Sequence, residues 1–487
     1  MAGQSGVDEY ESALVIWHRP DKMQSCRAWK LDLQTTFGRS LVTHCLRVMW
    51  CFMVKGQAAT QLALYEPNPT REQEASSTPS TFLDNLSLPI HRWFRYSAGF
   101  SALWVRELIE REKAVGRRSV FDPFAGSGTS ILEAESADID AFGIEAHPFV
   151  ARIARAKLLW RSSVDSLLQF SRLLLKRAEA RTVEPTNPPK LLQECFPTTV
   201  LRRLFSLREA WNAVQDGSPA SELCWLALMA ILRECSPVGT AQWQYVLPNK
   251  AKANILEPFR AFELKTALFA SDMALRQRFA NGRVPKFRQD DARVCREVPD
   301  GWAELVVTSP PYANNYDYAD ATRLEMTFAG QITGWGDLQT AVRKYLVRSC
   351  SQHVSTISPE TENILAEPEL SPIRDEIQAV CRRLAAEREI HGGKKTYHTM
   401  VAAYFSDMAR VWASLRRVAK PGALVCFVVG DSAPYGVYVA VERWLGELAL
   451  AAGFHSYSFE KTRDRNVKWK NRKHRVPLKE GRLWVEG

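Results

Sequence analysis

None of the 10 cysteines forms a CxxC pair, and no spacing among them recurs. That absence excludes a sequence-encoded zinc cluster or disulfide framework and suits a reducing cytoplasm, so no metal is expected. Long apolar runs are missing too: Leu41–Val54 is interrupted by His44 and Arg47, and Leu223–Leu232 is only long enough for a core helix. Asp8, Glu9 and Glu11 crowd the start, which speaks against a secretory leader. The expectation is a cytoplasmic protein with no membrane partner. The glycine turn Asp122–Thr129 lacks the lysine of a Walker loop and is not a full GxGxxG, so nucleotide binding does not follow from it alone. What the chain does have is bulk and positive charge. With 487 residues, 46% hydrophobic, it can bury a large core and should hold two or three domains at roughly 100–200 residues each. A net charge of +10 fits a polyanionic partner.

Two short strings carry chemistry. Thr308–Tyr312 reads TSPPY directly after the apolar Leu305, Val306 and Val307. Proline lacks an N–H, fixes its own φ and pushes the preceding residue into extended geometry. Ser309 and Pro310 therefore offer carbonyls that no local ladder uses, and Pro311 leads to Tyr312, a flat face for stacking. Free acceptors beside an aromatic ring suit the capture of a planar, amino-bearing base; a plain strand exit is the other reading. The second string, DPFAGSGT, comprises Asp122, Pro123, Phe124, Ala125, Gly126, Ser127, Gly128 and Thr129. It follows the strand-like Ser119–Phe121 and precedes a helical pattern. Its glycines allow a tight turn and close ligand approach, and the helix start presents unpaired N–H groups. The next strand ends in Glu145, about 20 residues on, where dinucleotide-type folds place an acid on ribose hydroxyls.

With both strings in place, the chain resembles the S-adenosylmethionine-dependent amino-group DNA methyltransferases, over about residues 88–170 and 283–487. DPFAGSGT is similar to their glycine motif, and Ser309–Tyr312 to their catalytic S/D/N-PP-aromatic motif. The serine is the form commoner in enzymes acting on N4 of cytosine; Asp or Asn is typical of the adenine-N6 group. The resemblance extends to Pro89–Phe100, PIHRWFRYSAGF, the stretch such enzymes use at the methionine end of the cofactor and the source of Tyr96 as a candidate contact. An aromatic packing face is the alternative there. Asp291, in Gln289–Arg293, corresponds to the acidic turn near the adenine ring, although an Asp pair in a polar loop is also a turn former. The resemblance implies S-adenosylmethionine as cofactor, double-stranded DNA with a flipped target base as substrate, and a restriction endonuclease as a candidate partner. It also implies a seven-stranded sheet. Ring attack by cysteine, as in carbon-5 methylation, has no support, because no Pro-Cys pair accompanies the proline motif.

Strand-like segments near 119–124, 141–145, 284–288, 304–308, 423–430 and 455–461 alternate with helical patterns, which predicts a doubly wound, mostly parallel α/β sheet with helical insertions. Ligands in such sheets bind beyond the strand carboxyl ends where strand order reverses, so Gly126 and Ser309 are expected to share one crevice. The domains read as an N-terminal extension of unknown role (1–81), a catalytic domain (82–170 and 282–487), a helical insertion and candidate target-recognition region (171–281), and a second helical insertion (330–395). Leu167, Leu168, Phe170, Leu173 and Leu174 form one apolar stripe. Ala241–Lys250, AQWQYVLPNK, suits base-edge reading or a packed turn. Lys461–Arg475 is densely basic, with Arg465, Lys468, Lys470, Arg472, Lys473 and Arg475 as candidate phosphate contacts; a solvated hairpin is equally compatible. Four functions remain in play: cytosine-N4 or adenine-N6 DNA methylation, methylation of RNA amines, and a catalytically silent nucleic-acid-binding module.

Overall fold

The computed structural model describes residues 82–487 except 97–98, 241–245, 253, 281, 315–316, 355–356, 358–359 and 466–475, with the backbone alone at 82–83, 240 and 246–251. The N-terminal extension 1–81 lies outside the described residues. The strands are β1 (Ser119–Asp122), β2 (Asp140–Ile144), β3 (Val238–Thr240), β4 (Val246–Ala251), β5 (Lys286–Arg288), β6 (Ala303–Thr308), β7 (Ala419–Gly430), β8 (Ser456–Arg465) and β9 (Leu478–Glu486). Seven of them form one sheet in the order β5-β2-β1-β6-β7-β9-β8, and β3 and β4 make a separate antiparallel pair. β5, β2, β1, β6 and β7 run parallel, whereas β9 is antiparallel to both β7 and β8. This is the expected α/β class, doubly wound and mostly parallel. Strand order reverses between β1 and β6, because β2 and β5 continue to one side and β7 to the other.

The longer helices are α1 (Ala102–Ala114), α2 (Thr129–Ser136), α3 (Pro148–Leu158), α4 (Val164–Ala180), α5 (Thr198–Val214), α6 (Pro219–Cys235), α7 (Pro258–Gln277), α8 (Arg374–Ile390), α9 (Tyr397–Val418) and α10 (Val441–Ala451). α1, α2 and α3 cover one face of the sheet, where Val105, Ile109, Ile131 and Ala154 meet Val120, Leu305 and Val307. α9 and α10 cover the other, where Trp412 stacks on Phe427 with ring centroids 4.5 Å apart. Coverage on both sides explains why β1 and β6 are buried almost throughout. A further core joins α4–α7 to Trp93 and Phe94.

The sequence placed six of the sheet's seven strands. β9 was visible only as the apolar pair Leu483 and Trp484, because Lys479, Glu480, Gly481 and Arg482 break the pattern. Glu480 and Arg482 are nevertheless buried, paired with Arg463 at 2.7 Å and Glu460 at 2.9 Å. At Gly481 the backbone of β8 comes so close that a Cβ would stand 2.2 Å from the Glu460 carbonyl oxygen. The α4 stripe also needs correction: Leu167 and Leu174 are buried but Leu173 is exposed, since the inward face follows 167, 171, 174 and 178. Leu223–Leu232 is a core helix, inside α6.

Candidate active site

β1 and β6 are direct neighbours, with Val120 beside Leu305 and Phe121 beside Val306, so their exits leave the same rim. Asp122 and Thr308 close the two strands and bond to each other: the Thr308 hydroxyl donates to Asp122 Oδ1 at 2.6 Å. The same oxygen accepts the Phe124 N–H at 3.0 Å. Burial pushes the Asp122 carboxyl up to about 6, against the opposing bonds from Ser130, Thr308 and Phe124. Ser130 Oγ, on α2, also donates to the Val307 carbonyl at 3.3 Å. The glycine turn and the proline strand are thus tied by side chains as well as by the ladder.

The turn itself depends on left-handed backbone at Gly126 (φ 53) and Gly128 (φ 91), the latter capping α2. Glu145, at the end of β2, is buried and faces the turn. Its Oε2 accepts the Gly126 N–H at 2.9 Å and its Oε1 the His147 N–H at 2.8 Å. Burial pushes this carboxyl up to about 7, with bonds from His147, Gly126 and Ala146 opposing and the Asp122 charge adding to the rise. Tyr96 lies against the turn: a Cβ on Gly126 would stand 3.2 Å from the tyrosine ring. Burial, then the charge of Glu145, then Tyr318 raise the Tyr96 hydroxyl well above its usual range. In the PIHRWFRYSAGF stretch, Trp93 and Phe94 pack in the core, the packing face that the sequence offered, while Tyr96 reaches the glycine loop.

On the proline side, the Ser309 hydroxyl donates to the Val428 carbonyl of β7 at 3.3 Å, which leaves its lone pairs available as acceptors. Among the described residues, no turn or loop N–H points at the Ser309 or Pro310 carbonyl. The Tyr312 N–H donates to the Tyr318 hydroxyl at 3.3 Å, and Tyr318 in turn acts electrostatically on Tyr96. A line of neighbours thus runs from Gly126 through Tyr96 and Tyr318 to Tyr312. Arg465, the first of the basic candidates, lies 5.2 Å from the Tyr312 ring centroid and donates to the Asp431 carbonyl at 2.7 Å. Lys468, Lys470, Arg472, Lys473 and Arg475 lie outside the described residues, as does part of the AQWQYVLPNK stretch.

Asp291 follows β5 on the same rim, and its carboxylate is held by the Arg293 guanidinium at 2.7 Å. Asp290 acts as the turn former, accepting the N–H groups of Asp291 and Arg296. Sequence reasoning missed two polar groups around the proline loop. Asp317 is buried between Arg343 at 2.6 Å and His353 at 3.2 Å, an anchor for the chain just past Tyr312. Asp317, Cys350 and His353 bring possible ligand atoms within 4.8 Å of one another. The guanidinium already bound to Asp317 opposes a second cation there. Asp431 and Glu442, past the end of β7, each carry a buried carboxyl oxygen without a donor. Burial, then Glu442, push the Asp431 carboxyl up to about 7.

A seven-stranded sheet of this order, with a glycine turn and a proline strand exit meeting at its reversal, is a Rossmann-like α/β fold of the methyltransferase type. No family model matches the chain. The Type II methyltransferase M.BsoBI of Geobacillus stearothermophilus is 23% identical to it over 410 residues, 76% of this chain and 79% of that protein. The Type II methyltransferases M.AvaI of Nostoc sp. (strain PCC 7120) and of Anabaena variabilis are each 25% identical over 412 residues, 77% of this chain and 81% of theirs. Over about three quarters of its length, then, the chain is a homologue of Type II methyltransferases, in agreement with the resemblance carried by DPFAGSGT and TSPPY. No helix among the described residues is long and apolar enough to cross a membrane.

Proposed function

We propose that this chain is a DNA methyltransferase that transfers a methyl group from S-adenosylmethionine to the exocyclic N4 amine of cytosine. The observation that carries the reading is the tie between Asp122 and Thr308, which brings a cofactor-type turn and a base-capturing strand exit to one rim. The residues fit the cofactor. Gly126 leaves open a space beside Tyr96 that a side chain would fill, and Glu145 places a buried carboxylate next to it. Gly126, Ser127, Gly128 and Thr129 would line the turn, with Asp122, Pro123, Phe124 and Ala125 shaping it, and Tyr96, Glu145 and Asp291 would contact the rest. S-adenosylmethionine, when bound, supplies an electrophilic methyl group on a sulfonium.

The chain's own groups do the remainder. A base amine is out of reach inside a duplex, so the target is rotated out of the stack. Tyr312 gives it a face to stack on. The Ser309 oxygens and the Pro310 carbonyl accept hydrogen bonds from the amine, drawing its lone pair out of conjugation with the ring, while Pro311 keeps the loop rigid. Such a site works through orientation and aimed acceptors, with effective molarities of about 10⁵ M or more available. The positive charge suits double-stranded DNA as partner, with the 461–475 run as candidate phosphate contacts. A cognate restriction endonuclease fits the Type II names of the relatives.

The test is expression in a host without DNA methylation, followed by mass spectrometry of genomic nucleosides. N4-methylcytosine is expected with the wild type and its loss with Tyr312→Ala or Gly126→Asp. N6-methyladenine in its place would overturn the choice of base and leave the DNA reading standing. Methylated RNA alone would overturn the DNA reading.

A further inference from the structure

The helical insertion between β2 and β5 contributes α7, whose buried Asp272 reaches the segment leading to Tyr96. Asp272 Oδ2 accepts the Ile90 N–H at 3.1 Å, Arg92 Nε at 3.0 Å and Trp93 Nε1 at 2.9 Å. Its other oxygen accepts Arg92 Nη2 at 2.5 Å. One carboxylate, 1% exposed, therefore gathers donors from Ile90, Arg92 and Trp93. The backbone it holds is strained: Ile90 has φ 68 and ψ −45, a conformation that a β-branched residue adopts only when its surroundings impose it. Trp93 is also stacked on Phe269 of the same helix, with centroids 4.3 Å apart.

α7 grips the other side of the glycine turn as well. Arg276, one turn beyond Asp272, donates to the Leu132 carbonyl and the Ser136 hydroxyl, both at 2.7 Å, near the carboxyl end of α2. A cation there complements the helix dipole. Gln277 donates to the Trp160 and Ser162 carbonyls at 2.8 Å, just past α3. The helix thus joins the stretch before Tyr96 to the helix that the glycine turn opens.

We propose that Asp272 is a positioning residue for the cofactor pocket: by fixing the Ile90–Trp93 turn, it sets Tyr96 at the distance from Gly126 at which the pocket accepts its ligand. The inference rests on the proposed cofactor site and assigns part of that site's geometry to the insertion. Asp272 touches no reacting atom. Its effect falls on cofactor affinity, and DNA affinity and the pH profile of turnover stay as they are.

The experiment is calorimetric titration of full-length protein with S-adenosylmethionine, beside fluorescence anisotropy on a nonspecific DNA duplex at low salt. Asp272→Asn is nearly isosteric but turns an acceptor into a donor facing donors. It is expected to raise the S-adenosylmethionine Kd on the order of tenfold, with DNA Kd changed less than about threefold, the two free energies differing by RT ln of that ratio. Asp272→Glu, which keeps the carboxylate, should show only part of the loss. If Asp272→Asn does not fold, the double variant Arg92→Gln, Trp93→Phe removes three of the same donor contacts from the other side and takes its place. An unchanged Kd in a folded variant, or an equal loss in both titrations, overturns the proposal. Wild-type protein that binds no S-adenosylmethionine overturns the proposed function itself, a result distinct from wild-type binding with an unaffected variant.

Discussion

Replacing Thr308 by valine removes one hydroxyl, keeps the shape, and leaves the Asp122 carboxyl short of its 2.6 Å donor. Asp122 is 1% exposed, so water cannot take the donor's place. A hydrogen bond to an ionised group contributes about 1.5–3 kcal/mol and a neutral pair about 1 kcal/mol. Burial raises the folded-state carboxyl to about 6 from an ordinary 3.8. For a carboxyl raised in this way, the folded state holds its proton more tightly than the unfolded chain. The associated stability is complete below the unfolded value and is lost as pH rises through about 6. Removing the Thr308 donor raises the folded value further, so the penalty for ionisation grows. Thr308→Val should therefore cost about 1 kcal/mol at pH 5 and about 2–3 kcal/mol at pH 8, read from urea unfolding at both values. Thr308→Ser, which retains the hydroxyl, should show little of the difference between the two. Equal costs at pH 5 and pH 8, or a serine variant as unstable as the valine one, would refute the reasoning.

Three further outcomes follow from raised carboxyls. Glu145 is pushed up to about 7 from 4.5, so S-adenosylmethionine binding that uses its carboxylate should weaken as pH falls through 7, and Glu145→Gln should bind weakly with a flat profile in calorimetry. The same shift, about 3 kcal/mol at 1.36 kcal/mol per unit, predicts that Glu145→Gln melts higher than wild type at pH 8 and not at pH 4. Asp431, raised by burial and then by Glu442, should behave alike: Asp431→Asn stabilises the fold at pH 8, where two neighbouring carboxylates otherwise face each other, and gains nothing at pH 4 by thermal melting.

The parallel centre of the sheet was legible because strands buried on both faces read as unbroken apolar runs, as Leu305–Val307 and Leu424–Val429 do. The two motifs were legible for a different reason. Each is a contiguous string whose backbone demands show in the residue types, glycine where φ is positive and proline where a strand must stop. β9 was not, since its buried Glu480 and Arg482 find their partners only once β8 lies alongside. Nor were the anchors of the site. Asp272 meets Ile90 across 182 positions, and Asp317 meets Arg343 and His353 across 26 and 36; no local pattern announces such pairings. Tyr96 was reached only through the family resemblance, and its contact with the glycine turn depends on a strained isoleucine that sequence gives no reason to expect.

The outermost strands differ in how they deter a second chain from adding on. β5 is three residues long and sets exposed Lys286 and Arg288 around its one buried side chain, Phe287, too short a template for a neighbour to dock. β8 is ten residues long and would be the more inviting flank. There the ladder slips between Lys461 and Arg463, and Glu460, Lys461, Arg463 and Asp464 project outward. An irregular, charged border of this kind disfavours the edge-to-edge addition of a strand from another copy.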